Sequence, residues 1–403
     1  MSDPQGGALP AAGARAPLRV AIVAGESSGD QLGAALITAL RERVGRVQCF
    51  GVAGAKMQAA GCEAWESAET LAVMGLTEVL PHLPRLLRLR ARLARRFLAA
   101  RPDVFVGIDA PAFNLGLARK LRARGLPTVQ YVAPQAWAWR QGRVRTVSRS
   151  CDLLLCLLPF ETDFYARHGV HAEFVGHPLA DQIPLEVDQQ GARAALGLAP
   201  QATVVALLPG SRLGEIERLG ADFVAAAAWI ARRAPQVRFI APMASVRARA
   251  AFLRKMAQVT DAPAITLIDG NAQQVLAACD GALLASGTVT LEALLSRRVM
   301  VVAYRFGALT AFALRRLHLV KVPYFSQPNL LLGKPFVPEF LQQQVRAPAL
   351  GAALLEHMED ADYRRTLALE FEQVHRQLRC GGAGRAAEAI IRLTEARARG
   401  DAA

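Results

Sequence analysis

The sequence predicts an α/β protein built from two doubly wound parallel-sheet domains. The chain has 403 residues, which is too long for one typical domain, and 52% of them are hydrophobic. Short, largely apolar runs alternate with helical patterns in both halves of the chain. Such runs are typical of strands that a parallel sheet buries on both faces.

The domain boundaries are predicted from composition. Residues 1–17 are rich in Ala, Gly and Pro and are expected to form a disordered tail. Residues 18–178 would form the first domain and residues 179–364 the second, joined by a link that begins at His177-Pro178. No run of about 18 apolar residues is free of charge, so no membrane-spanning helix is expected. The six cysteines show neither a Cys-x-x-Cys pair nor zinc-ligand spacing, which indicates reduced thiols in a cytoplasmic protein.

Two acidic residues directly follow predicted strands of the first half. Glu26 comes after the apolar run 18–25, and Asp109 comes after the run 104–108. Open α/β sheets bind their ligands at the carboxyl ends of the strands, so both side chains are expected at such a site. Asp109 is the leading candidate for a general base. The alternative is that Asp109 caps the helix that follows it.

Another predicted strand, 128–132, leads into a segment that ends at Trp139 and Arg140. An indole and a guanidinium beside a strand end are suited to a wall that faces a sugar or a lipid. The alternative is a packed loop without a binding role.

The second half contains a strand, a tight loop and a helix start that together predict a phosphate site. The run 204–208 ends at Pro209-Gly210-Ser211-Arg212, and a helical pattern follows. Free backbone N–H groups at a helix N-terminus bind anions, above all phosphate. Ser211 is predicted to be the N-cap, and the guanidinium of Arg212 can bind two phosphate oxygens at once. The alternative is an ordinary turn with a solvated arginine.

A second junction of the same kind strengthens this prediction. The run 281–285 ends in Ser286-Gly287-Thr288, and Glu292 lies one turn into the next helix, where it can accept hydrogen bonds from ribose hydroxyls. The alternative for Glu292 is a first-turn acid that stabilises the helix dipole. Two such junctions in one half of the chain predict a nucleoside diphosphate site. The expected nucleotide-binding residues are Gly210, Ser211, Arg212, Ser286, Gly287, Thr288, Glu292 and, at the end of the last strand, Arg305.

The net charge of +14 is due mainly to arginine and indicates an anionic partner. Aromatic residues make up 6% of the chain and are not interleaved with arginine, so nucleic acid is not expected. A leucine stripe flanked by arginines between residues 71 and 97 predicts binding to an anionic membrane surface. The alternative is that the stripe packs on the protein core while the arginines stay in water. The expected membrane-binding residues are Leu76, Leu86, Arg88, Leu89, Arg92 and Leu93.

Six motifs occur in a fixed order along the chain: Ala24-Gly25-Glu26-Ser27-Ser28-Gly29-Asp30, Gly107-Ile108-Asp109-Ala110-Pro111, Trp137-Ala138-Trp139-Arg140, Leu208-Pro209-Gly210-Ser211-Arg212, Ser286-Gly287-Thr288 and Pro328-Asn329-Leu330-Leu331. Together they resemble the lipid-A-disaccharide synthase family, from about Leu18 to beyond Cys380. The resemblance implies a GT-B fold, with two Rossmann-like domains, an interdomain cleft and the nucleotide in the C-terminal domain. It also implies that the final helices, residues 365–398, pack back on the first domain.

The resemblance further implies a peripheral enzyme on the inner face of the inner membrane of Gram-negative bacteria. Such enzymes join UDP-2,3-diacylglucosamine to 2,3-diacylglucosamine 1-phosphate in a β-1,6 linkage and release UDP, a step in lipopolysaccharide synthesis. By resemblance, Asp109 is the essential carboxylate and Arg212 binds the diphosphate. Glu26 and Asn329 match polar site positions. The family usually has Asp where this chain has Ala112, which leaves Asp109 or Glu26 as the base.

Neither a metal nor a cofactor is expected. Inversion at the sugar carbon needs one base, and helix N-termini with Arg212 can stabilise the departing UDP. The Asp360-x-Asp362 pattern mimics a metal-binding motif but is predicted to be a solvated helix start.

Two alternative functions stay open at this point. One is another GT-B enzyme that acts on UDP-GlcNAc, such as the muramyl-lipid glycosyltransferase or the 2-epimerase. The other is a non-catalytic basic protein that binds membrane or nucleic acid. The oligomeric state, monomer or homodimer, also stays open.

Overall fold

The computed structural model describes residues 16–72, 79–138, 141–307 and 323–400. They form two compact units. The first unit comprises the described residues up to Pro134, those of Gly142–Val175 and those from Gly381 to residue 400. The second comprises the described residues within Gln135–Gln141 and Gly176–Cys380. Residues 1–15 of the predicted tail lie outside the described residues. The domain boundaries given above stay predictions.

Each unit contains a parallel sheet. The strands of the first unit are β1 (Leu18–Ala24), β2 (Val47–Ala53), β3 (Cys62–Ser67), β4 (Val104–Ile108), β5 (Thr128–Tyr131), β6 (Leu153–Cys156) and β7 (Ala172–Phe174). Those of the second unit are β8 (Val204–Leu208), β9 (Arg238–Met243), β10 (Ile265–Asp269), β11 (Gly281–Ala285), β12 (Val299–Tyr304) and β13 (Glu339–Leu341). Within the described chain the strand orders are β3-β2-β1-β4-β5-β6-β7 and β10-β9-β8-β11-β12-β13. The predicted pair of doubly wound α/β domains is confirmed.

Helices connect the strands and cover the faces of the sheets. In the first half they are α1 (Ser27–Val44), α2 (Ala55–Ala59), α3 (Glu69–Ala72), α4 (Val79–Ala100), α5 (Pro111–Arg122), α6 (Val144–Ser150) and α7 (Pro159–Ala166). From the second unit onwards they are α8 (Pro178–Gln182), α9 (Gln189–Ala195), α10 (Leu213–Ala231), α11 (Val246–Met256), α12 (Ala272–Ala278), α13 (Val289–Leu295), α14 (Gln327–Leu332), α15 (Ala347–Glu359), α16 (Ala361–Leu378) and α17 (Gly382–Ala398). Single 3-10 turns occupy Gln141–Arg143 and Gln342–Gln344.

Strand β1 shows why the inner part of a predicted strand is apolar. Val20, Ile22 and Ala24 pack in the core layer formed with α1 and α17. Ala21 and Val23 point to the opposite side of the sheet and pack in the layer formed with α4 and α5. Because successive side chains of a strand alternate between the two faces, both of which are covered, positions 20–24 of β1 have no water to solvate a charge. Arg19, at the start of the strand, is only partly buried.

Helix α4 corrects the membrane prediction for three leucines. Leu86, Leu89 and Leu93 are buried together in the core layer of the first unit, so they do not reach a membrane. The alternative, a leucine stripe on the core with arginines in water, is confirmed for this part of the helix. Arg88 and Arg92 are exposed, and Arg92 pairs with the carboxylate of Glu66 at the edge of the sheet. Leu76 lies outside the described residues.

The last two helices belong to different units. Helix α17 packs on α1 of the first unit, where Nη2 of Arg43 donates to Oε1 of Glu388 at 2.9 Å. Helix α16 belongs to the second unit, where Nε2 of His375 donates to the carbonyl of Ala180 at 3.0 Å. Of the two, α17 is therefore the one built into the first unit.

The Asp360-x-Asp362 pattern begins helix α16, as predicted. Oδ1 of Asp360 accepts hydrogen bonds from the backbone N–H groups of Asp362 and Tyr363, both at 2.9 Å. This is the geometry of an N-cap aspartate, so the carboxylate of Asp360 is used in capping its own helix.

None of the helices among the described residues combines the length and the apolar composition needed to cross a bilayer.

Candidate active site

The two predicted carboxylates leave neighbouring strands at one edge of the first sheet. The parallel register pairs Ala24 of β1 with Ile108 of β4, so Glu26 and Asp109 follow strand ends that lie side by side. The two backbones come close at this edge: a Cβ added to Gly25 would lie only 2.9 Å from the Cβ of Ala110. Adjacent strand ends thus bring together two acids that are far apart in the sequence.

Asp109 occupies a strained and largely buried position. Its φ is 49° and that of Ala110 is 40°, both in the left-handed region that non-glycine residues rarely adopt. Helix α5 begins at Pro111 with Ala110 in the cap position, so the alternative that Asp109 is the N-cap is wrong. Burial raises the pKa of the Asp109 carboxyl, and a hydrogen bond from the backbone of Ala110 partly offsets this. Strain and a raised pKa at a strand end are typical of a functional carboxylate.

Two buried amides that were not predicted from the sequence hold Asp109 in place. Nδ2 of Asn114 and Nε2 of Gln130 donate to the backbone carbonyl of Asp109 at 2.9 and 3.0 Å. The backbone N–H of Asp109 donates to the carbonyl of Tyr131 at 2.9 Å. A glutamine between the apolar Val129 and Tyr131 of strand β5 was the signal for this role, because a buried amide needs hydrogen-bond partners.

The acids of the first motif divide into one structural and one free residue. The carboxylate of Asp30 is buried and accepts the backbone N–H groups of Gly54, Lys56 and Met57 at 2.9 to 3.0 Å, which joins the start of α2 to α1. Glu26 stands at the cap position of α1, makes no side-chain capping hydrogen bond and is exposed. Glu26 is therefore the acid of this motif that is available to a ligand.

The predicted phosphate loop closes on an internal carboxylate. Oε2 of Glu215 accepts the backbone N–H groups of Ser211 and Arg212 at 3.1 and 3.3 Å. The N-cap residue is Arg212, so the prediction of Ser211 as N-cap is wrong. The carboxylate of Glu215, one turn into α10, accepts the backbone N–H groups at this helix start in place of the serine hydroxyl. Gly210 has a φ of 122°, and a Cβ added there would lie 2.3 Å from Oε2 of Glu215.

The guanidinium of Arg212 lies outside this closed loop. Its side chain is 83% exposed, and Nη1 donates to Oε1 of Glu215 at 3.3 Å. Because the guanidinium is in water, this pair contributes little to stability, although the carboxylate of Glu215 is buried. The guanidinium is therefore free to turn towards an anionic ligand at low cost.

The second junction lies beside the first. The register pairs Leu284 of β11 with Leu208 of β8, so both loops leave neighbouring strands at the same edge of the second sheet. Gly287 and Thr288 are exposed. The hydroxyl of Ser286 donates to the carbonyl of Phe325 at 2.7 Å, and burial raises the pKa of the Glu292 carboxyl. The structure thus brings the two predicted loops together.

Arg305 follows the next strand, β12, and is already engaged within the second unit. Its Nη2 donates to Oδ1 of Asp222 at 3.0 Å and to the carbonyl of Val345 at 2.7 Å. Its backbone carbonyl accepts from Nε of Arg218 at 2.9 Å. A contact between Arg305 and a nucleotide stays a prediction, and the observed role of this guanidinium is to tie α10 to the end of β12.

Asn329 has a structural role in place of the predicted substrate contact. Its Nδ2 donates to the carbonyl of Val337 and to Oε1 of Glu339, both at 2.9 Å. Its Oδ1 accepts the backbone N–H groups of Phe336 and Val337, both at 2.8 Å. The side chain is buried, and its two donors and both acceptor positions are in use, which leaves no group for a substrate.

Trp139 and Arg140, the predicted wall of the site, lie outside the described residues.

Comparison with known proteins identifies the family. The family model of lipid-A-disaccharide synthetase matches residues 20–390. A lipid-A-disaccharide synthase from Alkalilimnicola ehrlichii is 50% identical over 376 residues, which cover 93% of this chain and 98% of the relative. A synthase from Pseudomonas aeruginosa is 50% identical over 380 residues, with coverages of 94% and 99%. The chain belongs to the lipid-A-disaccharide synthase family. It is a glycosyltransferase of lipid A biosynthesis, and the two other interpretations of the sequence are not supported.

Solved structures of more distant proteins share the fold of the synthase family. UDP-GlcNAc 2-epimerase from Neisseria meningitidis superimposes with a TM-score of 0.62 at 12% identity, over 93% of this chain and 98% of that chain. The glycotransferase of kitacinnamycin gives a TM-score of 0.59 at 18% identity, over 94% and 99%. At these identities the likeness concerns the fold alone, and it confirms the predicted GT-B fold class.

Replacing Gly210 by Ala is expected to destabilise the second unit of the synthase. The added methyl group would meet the carboxylate of Glu215 at a left-handed φ, so we expect a loss of about 2 kcal/mol in the free energy of unfolding. Thermal and urea unfolding measure this loss. Gly287→Ala is the matched control, because a Cβ at Gly287 meets no atom within 4 Å. Equal stabilities of the two variants would contradict the closed geometry of the loop.

Asn329→Ala is expected to lower stability through four lost hydrogen bonds. Each buried group left without a partner costs about 1–3 kcal/mol, so a total loss of about 3 kcal/mol or more is expected in urea unfolding. The control is Gln343→Ala, which removes an exposed amide of the same unit and should change the free energy of unfolding by less than about 0.5 kcal/mol. A stable Asn329→Ala protein with weakened substrate binding would restore the original prediction.

Proposed function

We propose that this transferase joins UDP-2,3-diacylglucosamine to 2,3-diacylglucosamine 1-phosphate in a β-1,6 linkage and releases UDP. The observation that carries the proposal is Asp109, a largely buried carboxylate at a strand end, with a raised pKa. No basic side chain of the described residues forms an ion pair with it. A carboxylate with these properties is suited to accept the proton of a sugar hydroxyl.

The chemistry requires one base and a site for the departing nucleotide. A β product from an α-linked UDP-sugar implies inversion, and therefore one direct displacement by the acceptor oxygen. Asp109 removes the proton from that oxygen as it attacks the sugar carbon. The junction at Ser286-Gly287-Thr288 binds the UDP diphosphate, and the exposed guanidinium of Arg212, outside the closed loop, stabilises the charge that develops on it.

Glu26 is proposed as a second polar residue of the acceptor site. Its exposed carboxylate follows the strand next to that of Asp109, where it can accept a hydrogen bond from another sugar hydroxyl. The largely buried Asp109 remains the better base, because a raised pKa increases the affinity of the carboxylate for a proton.

We also propose that the enzyme binds the inner face of the inner membrane through the outer side of α4. Leu83 and Leu87 are 42% and 48% exposed, although they are large and apolar. Arg85 and Arg88 are exposed on the same helix, and arginines line an open groove of about 540 Å³ there. Exposed leucines among arginines are suited to the interface of an anionic bilayer, where acylated substrates reside.

The activity is tested by incubating the protein with both proposed substrates. Formation of UDP and a disaccharide 1-phosphate in equal amounts is expected. Epimerisation of UDP-GlcNAc without a disaccharide product would overturn the proposal.

The pH dependence of this reaction identifies the base. The base must be deprotonated, so kcat/KM should fall as the pH decreases through a pKa above the ordinary range of an aspartate, which is about 4. Asp109→Asn should lower kcat by about 100- to 10,000-fold and keep UDP binding. Glu26→Gln should keep the acidic limb of the profile. Loss of that limb in Glu26→Gln alone would assign the base to Glu26.

A stability measurement separates this loss from unfolding. Because the pKa of Asp109 is raised in the folded state, ionisation of this carboxyl lowers the free energy of unfolding. The loss begins as the pH rises past the unfolded-state pKa and is complete above the folded-state pKa. Asp109→Asn should therefore be at least as stable as the wild type at pH 7.

The membrane proposal is tested by vesicle sedimentation. Leu83→Asn combined with Leu87→Asn should reduce binding to vesicles that contain anionic lipid by roughly tenfold, because two apolar side chains no longer enter the interface. Leu369→Asn is the control, since Leu369 is 67% exposed on α16 of the other unit. Equal binding by the double variant and the control would exclude α4 as the membrane-binding surface.

A further inference from the structure

A small groove lies between α5 and α6 of the first unit and begins two residues after Asp109. Its volume is about 230 Å³. Pro111, Ala112 and Pro134 give it apolar walls near the strand ends, and Ala112 carries only a methyl group. The groove therefore adjoins the segment of chain that carries the proposed base.

Two unpaired arginines line this groove. Arg119 of α5 and Arg143 at the start of α6 are both exposed, and neither forms a hydrogen bond or an ion pair with another described residue through its guanidinium. None of the described residues that line the groove is acidic. Two guanidinium groups without a counter-charge on one small groove favour an anionic ligand.

A third guanidinium adds to the positive potential. Nη2 of Arg90 donates to the carbonyl of Ala112 at the groove wall at 2.8 Å. Burial lowers the pKa of Arg90, and repulsion from Arg119 lowers it further. Arg90 and Arg119 are thus close enough to repel each other, and an anion bound beside Arg119 would relieve that repulsion.

The groove also contains a polar group without a partner. Ser150 is fully buried, its hydroxyl has no hydrogen-bond partner among the described residues, and it lines the groove. A buried hydroxyl that bonds to nothing is costly, and an oxygen-rich ligand in the groove would satisfy it.

We propose that this groove binds the phosphate group of the acceptor glycolipid. The inference rests on the proposed function, because it assigns a place to the phosphomonoester of the acceptor. A phosphomonoester is doubly charged and offers oxygens in the geometry that guanidinium groups bind in pairs. Arg119 and Arg143 hold the phosphate and thereby position the sugar so that its hydroxyl reaches Asp109. They are positioning residues, since neither touches the reacting atoms.

The test compares acceptors with and without the phosphate. Arg143→Ala and Arg119→Ala should each raise the KM of the phosphorylated acceptor by roughly tenfold, as expected for one lost charge-assisted hydrogen-bond pair. The KM of the UDP-sugar, and the KM of an acceptor that ends in a hydroxyl in place of the phosphate, should not change. Arg143→Lys should restore part of the loss. Arg145→Ala is the matched control, because Arg145 is exposed on α6 and does not line the groove.

The outcomes separate this inference from the proposed function. If the arginine variants raise the KM of both acceptors equally, or raise neither KM, the groove does not bind the phosphate. If the wild type forms no disaccharide, the proposed function fails, and direct calorimetric titration with diacylglucosamine 1-phosphate decides about the groove. Binding that Arg143→Ala loses and Arg145→Ala keeps would support the groove, and unchanged binding would overturn it. Inorganic phosphate that binds as tightly as the glycolipid would overturn its assignment to the acceptor.

Discussion

Each sheet of this protein is covered on both faces, and this single constraint decides where its chemistry lies. The inner residues of a strand such as β1, positions 20–24, pack in two core layers and leave no position for a charged group; its one charged residue, Arg19, lies at the start of the strand. The polar residues follow where the strands end. Because the strands are parallel, their ends meet at one edge, and residues that are distant in the sequence become neighbours. Glu26 with Asp109, and the two predicted phosphate loops of the second unit, are the results.

The residues at these edges are held in place at a cost to stability. Asp109 sits at a left-handed φ in a largely buried place, and the amides of Asn114 and Gln130 anchor its backbone carbonyl. In the second unit, Glu215 binds two backbone N–H groups of the loop and leaves space for no side chain at position 210. Strain that persists because neighbouring groups enforce it is common where a protein binds or reacts with ligands.

Helix α4 has leucines on both its buried and its exposed side. Its inner leucines fill the core beside the sheet, whereas Leu83 and Leu87 stay outside among arginines. The same helix also carries Arg90, whose guanidinium donates a hydrogen bond to the carbonyl of Ala112 of α5, a residue that lines the arginine-lined groove. Packing, the proposed membrane contact and the charge of the groove therefore depend on neighbouring positions of one helix.

The sequence by itself determined the fold class, the strands that lie inside the sheets, and the strand-end positions of Glu26, Asp109 and Gly210. Apolar runs and turn residues are local signals, because they depend on neighbouring residues in the sequence and not on contacts with distant parts of the chain. The edge strands β3 and β13 were not predicted, because these short strands contain polar residues and lack the apolar run that marks a buried one.

Only the tertiary structure decided which partner each polar group takes. Asn329 was expected at the substrate, but the backbone of residues 336–337 and Glu339 use its whole amide. The cap of α10 is Arg212 and not Ser211, because Glu215 reaches back to the loop. Hydrogen-bond partners and the direction of a leucine stripe depend on what the folded chain brings nearby, and sequence periodicity does not contain that information.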